Sequence, residues 1–370
     1  MNRRLLYVVN SPDFFVSHRL ALACAAAARG FDVTVASPDG AGAAIIREAG
    51  LGWTHLAMER SGRNPVDELG LIRAFLALYR RMRPQIVHHV TIKPVLYGTL
   101  AARLTRVPRV INAISGMGFM FTHGRPLQAR VGTAAYRLFL RHPDMTIIVQ
   151  NAEDRAFFLA NRLAPDTAIT LIPGSGVDST CYDPHAPRAD PPIVVQTCRM
   201  LADKGVREFI AAARLLRTDF PTVRFILVGA PDPGNPTSIE TPELEAASAS
   251  GAIEWWGHRA DIPAILAQAS IYCLPSYYRE GLPKSLIEAA AAALPMIACD
   301  TAACRELVVD GANGLLVPPR DPVALAAAIA RLLRDPRSAV RLGRQARIDA
   351  EGRFTLERIV AAQLALYGQP

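Results

Sequence analysis

Short runs rich in β-branched residues alternate with amphipathic, helix-patterned segments along almost the whole chain. Residues 5–9, 33–36, 86–89, 110–113, 146–149 and 169–172 read as strands, with helical stretches such as 19–29 and 69–82 between them. A second set follows, with strands at 194–197, 224–228, 253–255, 271–274, 296–298 and 315–317 and helices near 206–216, 283–292 and 323–333. Such alternation implies parallel sheets, because parallel neighbours need long crossovers that carry a helix over one face or the other. The 370 residues exceed one ordinary core. The segment Pro173-Gly174-Ser175-Gly176 and the proline-rich stretch 183–192 break the pattern where a linker belongs. The expectation is an α/β protein of two Rossmann-like doubly wound domains facing across a cleft, one at 1–175 and one at 190–352. Domains of this kind bind ligands beyond the carboxyl ends of their strands, so the cleft is the default active site.

Composition excludes several classes. Hydrophobic residues make up 51% and charged residues 20%, yet no run approaches the roughly 18 apolar residues that a spanning helix needs. The start Met1-Asn2-Arg3-Arg4 is basic, but the apolar run behind it ends at Asn10 without a small-residue cleavage site. It reads as a first strand, which points to the cytoplasm. Six scattered cysteines without a Cys-x-x-Cys pair fit reduced thiols.

Charge is divided unevenly. Residues 1–150 hold 19 Lys+Arg against 8 Asp+Glu, and the remainder holds 22 against 25. A basic half suggests a polyanionic partner, although solvated arginines explain it equally well. Few aromatics accompany the arginines and no nucleic-acid-binding motif occurs, so nucleic acid is not expected. The segment 69–83 sets a leucine-rich face beside Arg73, Arg80, Arg81 and Arg83, and Arg130, Arg137 and Arg141 share one side of another helix. These suit peripheral attachment to an anionic membrane, with Phe119, Met120 and Phe121 able to dip into lipid or to fill core.

Lysine occurs only at Lys93, Lys204 and Lys284. In a chain otherwise committed to arginine, each marks a place where a compact ammonium can be needed. Lys284 lies in Ser-Tyr-Tyr-Arg-Glu-Gly-Leu-Pro-Lys-Ser-Leu-Ile-Glu-Ala-Ala, residues 276–290. The stretch joins a buried strand to a helix that Pro283 is expected to open at its first position. Gly281 permits close backbone approach, the new helix N-terminus favours an anion or hydroxyls, and Lys284 and Glu288 share a face. An i, i+4 pair on a capped helix explains the last two residues, but not the Glu280-Gly281-Leu282-Pro283 turn.

This stretch resembles the E-x7-E signature of the retaining glycosyltransferases of family 4, which have the GT-B fold. The resemblance is strongest over 190–335 and continues through Glu306-Leu-Val-Val-Asp-Gly-Ala-Asn-Gly; Ala293 stands where the family commonly has glycine. It implies that Glu288 accepts from ribose hydroxyls, that Glu280 lies beside the donor sugar, and that the backbone from Gly281 through Leu282 and Pro283 to Lys284 holds sugar hydroxyls or phosphate. Thr197-Cys-Arg-Met-Leu-Ala-Asp-Lys-Gly resembles the family's G-R-x4-K-G segment, with Cys198 in place of glycine. There the resemblance gives Arg199 and Lys204 to the donor diphosphate. Glu254-Trp-Trp-Gly-His-Arg resembles the loop that brackets the base, making Gly257, His258 and Arg259 donor-binding candidates, with the tryptophans as core. No Asp-x-Asp occurs, so no obligate metal or other cofactor is expected. The resemblance also implies a C-terminal helix, 353–370, that crosses back to the first domain.

The segments 88–98 and 111–121 resemble a narrower group of bacterial enzymes that extend sugars on undecaprenyl diphosphate in O-antigen, capsule or glycoprotein assembly. Relatives often carry a histidine where Ser115-Gly116 stands, so no general base carries over; His123 is a substitute candidate. His18 and Arg19 are read as opening a helix toward the cleft and Lys93 as a phosphate contact, and these three with Ser115, Gly116 and His123 are the acceptor-binding candidates. The chain is therefore expected to be a cytoplasmic transferase on the inner membrane surface. It would move a sugar from a UDP-sugar, UDP-N-acetylhexosamine being one candidate, to an undecaprenyl-diphosphate-linked sugar. The rival is a UDP-sugar epimerase of the same architecture, which acts without an acceptor.

Overall fold

The computed structural model describes residues 3–59, 65–116 and 126–369. It divides into one unit of residues 1–175 plus 358–370 and a second of residues 176–357. The first is built on seven parallel strands, β1 (Arg4–Val8), β2 (Asp32–Ser37), β3 (Gly52–His55), β4 (Ile86–Val90), β5 (Arg109–Ala113), β6 (Met145–Val149) and β7 (Ile169–Leu171), in the order β3-β2-β1-β4-β5-β6-β7. Strand order reverses between β1 and β4, where Leu5 pairs with Ile86 and Tyr7 with His88. The period-2 geometry of a strand sends Leu5, Tyr7 and Val9 to a core shared with the helix Pro12–Ala28, and Leu6 and Val8 to the opposite core with Phe75 and Tyr79.

The last helix, Leu356–Ala365, supplies Ile359 and Leu364 to the first unit's core, and Tyr367 follows them. The Tyr367 hydroxyl meets those of Tyr7, at 2.7 Å, and His88 Nδ1, at 2.6 Å. Arg109 Nε and Arg3 Nη1 donate to the carbonyls of Leu366 and Tyr367.

The second unit has six parallel strands, β8 (Ile193–Thr197), β9 (Arg224–Val228), β10 (Glu254–Trp255), β11 (Ile271–Leu274), β12 (Met296–Cys299) and β13 (Gly314–Val317), ordered β10-β9-β8-β11-β12-β13. The reversal here falls between β8 and β11. One face carries the helices Val206–Leu216 and Pro322–Arg334 and the other Lys284–Ala291, while Pro336–Arg353 gives Ala339 and Leu342 to the first core and Ala346 and Ala350 to the second. The proline-rich segment 183–192 is docked on this unit. Arg188 donates to the carbonyls of Leu266, Ala267 and Ala292, and Ala189 N–H to that of Gln268.

Among the described residues no helix is long and apolar enough to cross a membrane. Cys24, Cys181, Cys198, Cys273, Cys299 and Cys304 are all free.

Candidate active site

The chain leaves β8 through Cys198 and Arg199, makes a single 3-10 turn over Ala202–Lys204, and turns at Gly205 into the helix Val206–Leu216. Gly205 has φ of 72°, and a Cβ there would lie 2.2 Å from the Pro275 carbonyl oxygen. Only glycine lets the loop after β8 press against the end of β11. Tyr277 N–H donates to the Asp203 carbonyl at 3.0 Å, and Gln196 Nε2 to that of Lys204 at 2.7 Å. Lys204, 7% exposed, thereby points its ammonium at Glu280, bonding both carboxylate oxygens. Ser276 Oγ donates to Glu280 Oε1 at 3.0 Å.

Arg199 is placed differently. Its guanidinium, 42% exposed, spends one N–H on Asp232 Oδ2 at 2.5 Å. Asp232 belongs to the loop after β9, which is zipped onto the loop after β8. Ala202 N–H donates to Thr237 O and Ile239 N–H to Met200 O, each at 2.8 Å. The fixed position leaves the other guanidinium donors facing solvent. Cys198, where the resemblance expects glycine, accepts from Gln196 Nε2 at 3.3 Å, and burial pushes its thiol up to about 12. It is therefore an inert thiol.

Pro283 is the N-cap of the helix Lys284–Ala291, with ψ of 122°, and not its first helical residue; no side chain caps this N-terminus. Gly281, Leu282 and Pro283 are buried in the turn. One turn into the helix Glu288 lies 3.5 Å from Lys284 Nζ. Burial raises the Glu288 carboxyl above its ordinary value, while Lys284 and a hydrogen bond from the Tyr182 hydroxyl pull it back. The same burial and the Glu288 charge raise the Tyr182 phenol. Arg347 Nη1 donates to the Tyr182 carbonyl at 3.0 Å and so fixes the residue's backbone.

At the end of β10, Gly257 O accepts from Gly229 N–H at 2.7 Å. His258 and Arg259 are exposed, and Arg259 is engaged by Asp261 through two bonds of 2.8 and 2.6 Å. Trp255 and Trp256 are half-buried against the two cores of this unit. Arg199, Lys204, Glu280, Lys284 and Glu288 thus converge on the reversal between β8 and β11, where a parallel sheet opens a ligand crevice.

In the first unit the placements are less uniform. The helix starts at Pro12 with Ser11 as cap, so His18 and Arg19 lie well inside it and do not open it. His18 stacks on Phe14 with centroids 4.1 Å apart. Arg19 is 2% exposed, with Nη1 on the His18 carbonyl at 2.9 Å, so its guanidinium belongs to the interior. Lys93 is bound to Glu68 at 2.7 Å. Ser115 and Gly116 follow β5, whereas His123, Phe119, Met120 and Phe121 lie outside the described residues.

Asp232 and Tyr182 are the contacts that sequence reasoning missed. Asp232 sits in Pro231-Asp-Pro-Gly-Asn-Pro directly behind a strand, a signal legible only as a turn-rich loop. Tyr182 lies just ahead of the proline-rich stretch 183–192 and carries no local signal.

Comparison with known proteins bears on the family. Residues 4–151 match a family model described as glycosyl transferase 4-like, and residues 191–335 one described as glycosyl transferases group 1. A Campylobacter jejuni protein named N,N'-diacetylbacillosaminyl-diphospho-undecaprenol alpha-1,3-N-acetylgalactosaminyltransferase is 26% identical over 82% of each chain. The Bacillus subtilis putative glycosyltransferase EpsD is 28% identical, again over 82% of each. In three dimensions the chain is similar to Anabaena HepE, solved in complex with UDP and glucose, with a TM-score of 0.78 at 17% identity over the whole of both chains. The chain is a glycosyltransferase of family 4 and has the GT-B fold.

Proposed function

We propose that this enzyme transfers a sugar, with retention of configuration and without an obligate metal, from a UDP-sugar to a sugar carried on a polyprenyl diphosphate. The observation that carries this reading is the Lys204–Glu280 pair beside Arg199 at the β8/β11 crevice. A departing nucleoside diphosphate accumulates charge in the transition state, and cations already fixed in place stabilise it without reorganisation. Arg199, Lys204 and the helix N-terminus at Lys284 supply that field. Glu288 takes the ribose hydroxyls, Glu280 lies beside the donor sugar, and Gly257, His258 and Arg259 bracket the base. The leaving phosphate takes the acceptor proton, so the reaction needs no separate general base.

The relative named for a diphospho-undecaprenol substrate and the neighbour bound to UDP support this choice of acceptor and donor, including an N-acetylhexosamine donor. The basic excess of residues 1–150 supports peripheral attachment to the cytoplasmic face of an anionic membrane.

Purified protein tested against UDP-, GDP- and ADP-sugars, with and without an extract of undecaprenyl-diphosphate-linked sugars, decides the matter. Nucleotide release from a UDP-sugar only with the extract is the expected result. Interconversion of the donor without acceptor would replace this reading with an epimerase.

A further inference from the structure

The helix Lys284–Ala291 turns its N-terminus to the donor crevice. That end carries no capping side chain and no acidic residue in its first turn, so its free N–H groups and positive pole are left for a ligand. The opposite end is treated differently. The left-handed closure at Ala293 occupies the carbonyls of Glu288, Ala289 and Ala290, which accept from the N–H groups of Ala292, Leu294 and Ala293. The carbonyls of Ala291 and Ala292 remain, and each is taken by a guanidinium. Arg347 Nη1 donates to Ala291 O, and Arg188 Nη2 to Ala292 O at 2.8 Å.

Neither cation is local. The helix has no basic residue of its own in the last turn, where one ordinarily complements the negative pole. Arg188 comes from the proline-rich segment ahead of β8 and also donates to Leu266 O and Ala267 O, each at 3.1 Å, near the end of the helix Ile262–Gln268. Arg347 comes from the helix Pro336–Arg353, has a side chain only 15% exposed, and holds Ser179 O and Tyr182 O at 3.1 and 3.0 Å. The acids near them, Glu351 on Arg347 Nε and Asp183 beside Arg188, are exposed, so water screens them more than it screens the charges turned inward.

Two full charges thus sit on the negative pole of a helix about 12 Å long. A partial charge of roughly −0.5 at that pole would otherwise oppose the positive pole facing the crevice. We propose that Arg188 and Arg347 are positioning residues for the donor phosphates, which neutralise the far pole of this helix so that its N-terminus presents an unopposed positive field to the diphosphate. The proposal rests on the nucleotide-sugar donor put forward above, and it adds two residues that act on the phosphates without touching them. Because the effect is one of charge, it grows with the phosphate charge of the ligand and vanishes for a neutral nucleoside. Leu286, Ile287 and Ala289 to Ala291 are buried along the helix, and in such surroundings Coulomb attraction over this distance is worth about two- to fivefold in affinity.

Calorimetric Kd values for UDP and UMP, with competition against UDP for uridine, test this on the intact chain. Arg188→Gln should weaken UDP about threefold and UMP less, and leave uridine unchanged. Arg188→Lys keeps the charge and should bind UDP as the wild type does. Arg347→Gln also releases Tyr182 and so weakens all three ligands, yet the ratio of the uridine Kd to the UDP Kd should still fall about threefold. Should one Gln variant not fold, the other reads the same ratio. A purely structural role would weaken uridine and UDP in step, and an unchanged ratio in either folded Gln variant overturns the proposal. So does a loss of UDP affinity in Arg188→Lys equal to that in Arg188→Gln, which would assign the effect to hydrogen-bond geometry. Wild-type protein that binds neither UDP nor UMP would remove the donor reading itself, which separates the two failures.

Discussion

Lys204 and Glu280 are 76 residues apart in sequence, and the ammonium of one bonds both carboxylate oxygens of the other with side chains only 9% and 17% exposed. Arg199, five residues before the lysine, is 42% exposed on its own ion pair. The two cations should therefore separate in their effects. Lys204→Ala leaves a nearly buried carboxylate uncompensated and should cost about 3 kcal/mol of stability, whereas Arg199→Ala should cost about 1 kcal/mol or less. Both should lower turnover by roughly 10² to 10³, as loss of a transition-state donor does. Urea unfolding alongside nucleotide-release kinetics measures both; equal stability losses, or full turnover in either variant, would refute the assignment.

What sequence alone revealed follows from which interactions are local. The twelve strands that were anticipated are β-branched and mostly buried on both faces, so their composition announces them. β3 escaped because it is a four-residue edge strand that begins with Gly52, and it is held by tertiary contacts: Trp53 donates to Ser37 Oγ and stacks under Arg47. The E-x7-E stretch put Lys284 and Glu288 on one face by helical spacing alone. Nothing local says that Lys204 meets Glu280, that Asp232 holds Arg199, or that Tyr182 reaches Glu288. The first two pairings arise when the strand order brings the loops after β8, β9 and β11 together, and the third when the segment ahead of β8 packs near the helix Lys284–Ala291. Arg19 shows the reverse error: a cation at an inviting position in the sequence is turned inward, because the helix begins seven residues before it.

Glu288 sets a pH dependence. Its carboxyl is raised by burial, so the folded protein holds this proton more tightly than the unfolded chain does. Stability from this group is present at low pH and is lost as pH rises through the raised value. Donor binding runs the opposite way, because only the ionised carboxylate accepts from both ribose hydroxyls. The KM for donor should rise as pH falls through that same value. Lys284→Gln deletes the ammonium that pulls the value down, and it should move this acid limb to higher pH. An unmoved limb would show that another group titrates there.

Asp232 neutralises part of the charge that a nucleoside diphosphate needs. Asp232→Asn keeps an oxygen for Arg199 Nη1 and removes the negative charge, so UDP should bind about three- to tenfold tighter, a gain typical of a partly screened pair. In an Arg199→Ala background the same change should have little effect, since the coupling runs through the guanidinium. Calorimetry on the four proteins completes the cycle, and equal gains in both backgrounds would detach Asp232 from Arg199.

The helix that carries Glu288 ends under strain that can be relieved. Ala293 N–H donates to the Ala290 carbonyl and Leu294 N–H to that of Ala289, the bond pattern of a helix closed by a left-handed residue, and Ala293 takes that role with φ of 53°. A methyl group is unfavourable there by about 1 kcal/mol, so Ala293→Gly should stabilise the protein by about that amount. The Ala293 carbonyl also packs against Gly343 of the helix Pro336–Arg353, where a Cβ would lie 2.2 Å from that oxygen. Gly343→Ala must push the two helices apart and should destabilise by about 1 to 3 kcal/mol. Because Glu288 rides on one of these helices, the second substitution should also weaken UDP binding, while the first leaves it intact. Urea unfolding and calorimetry on the two variants test the pair, and a loss of stability on Ala293→Gly would contradict the left-handed closure.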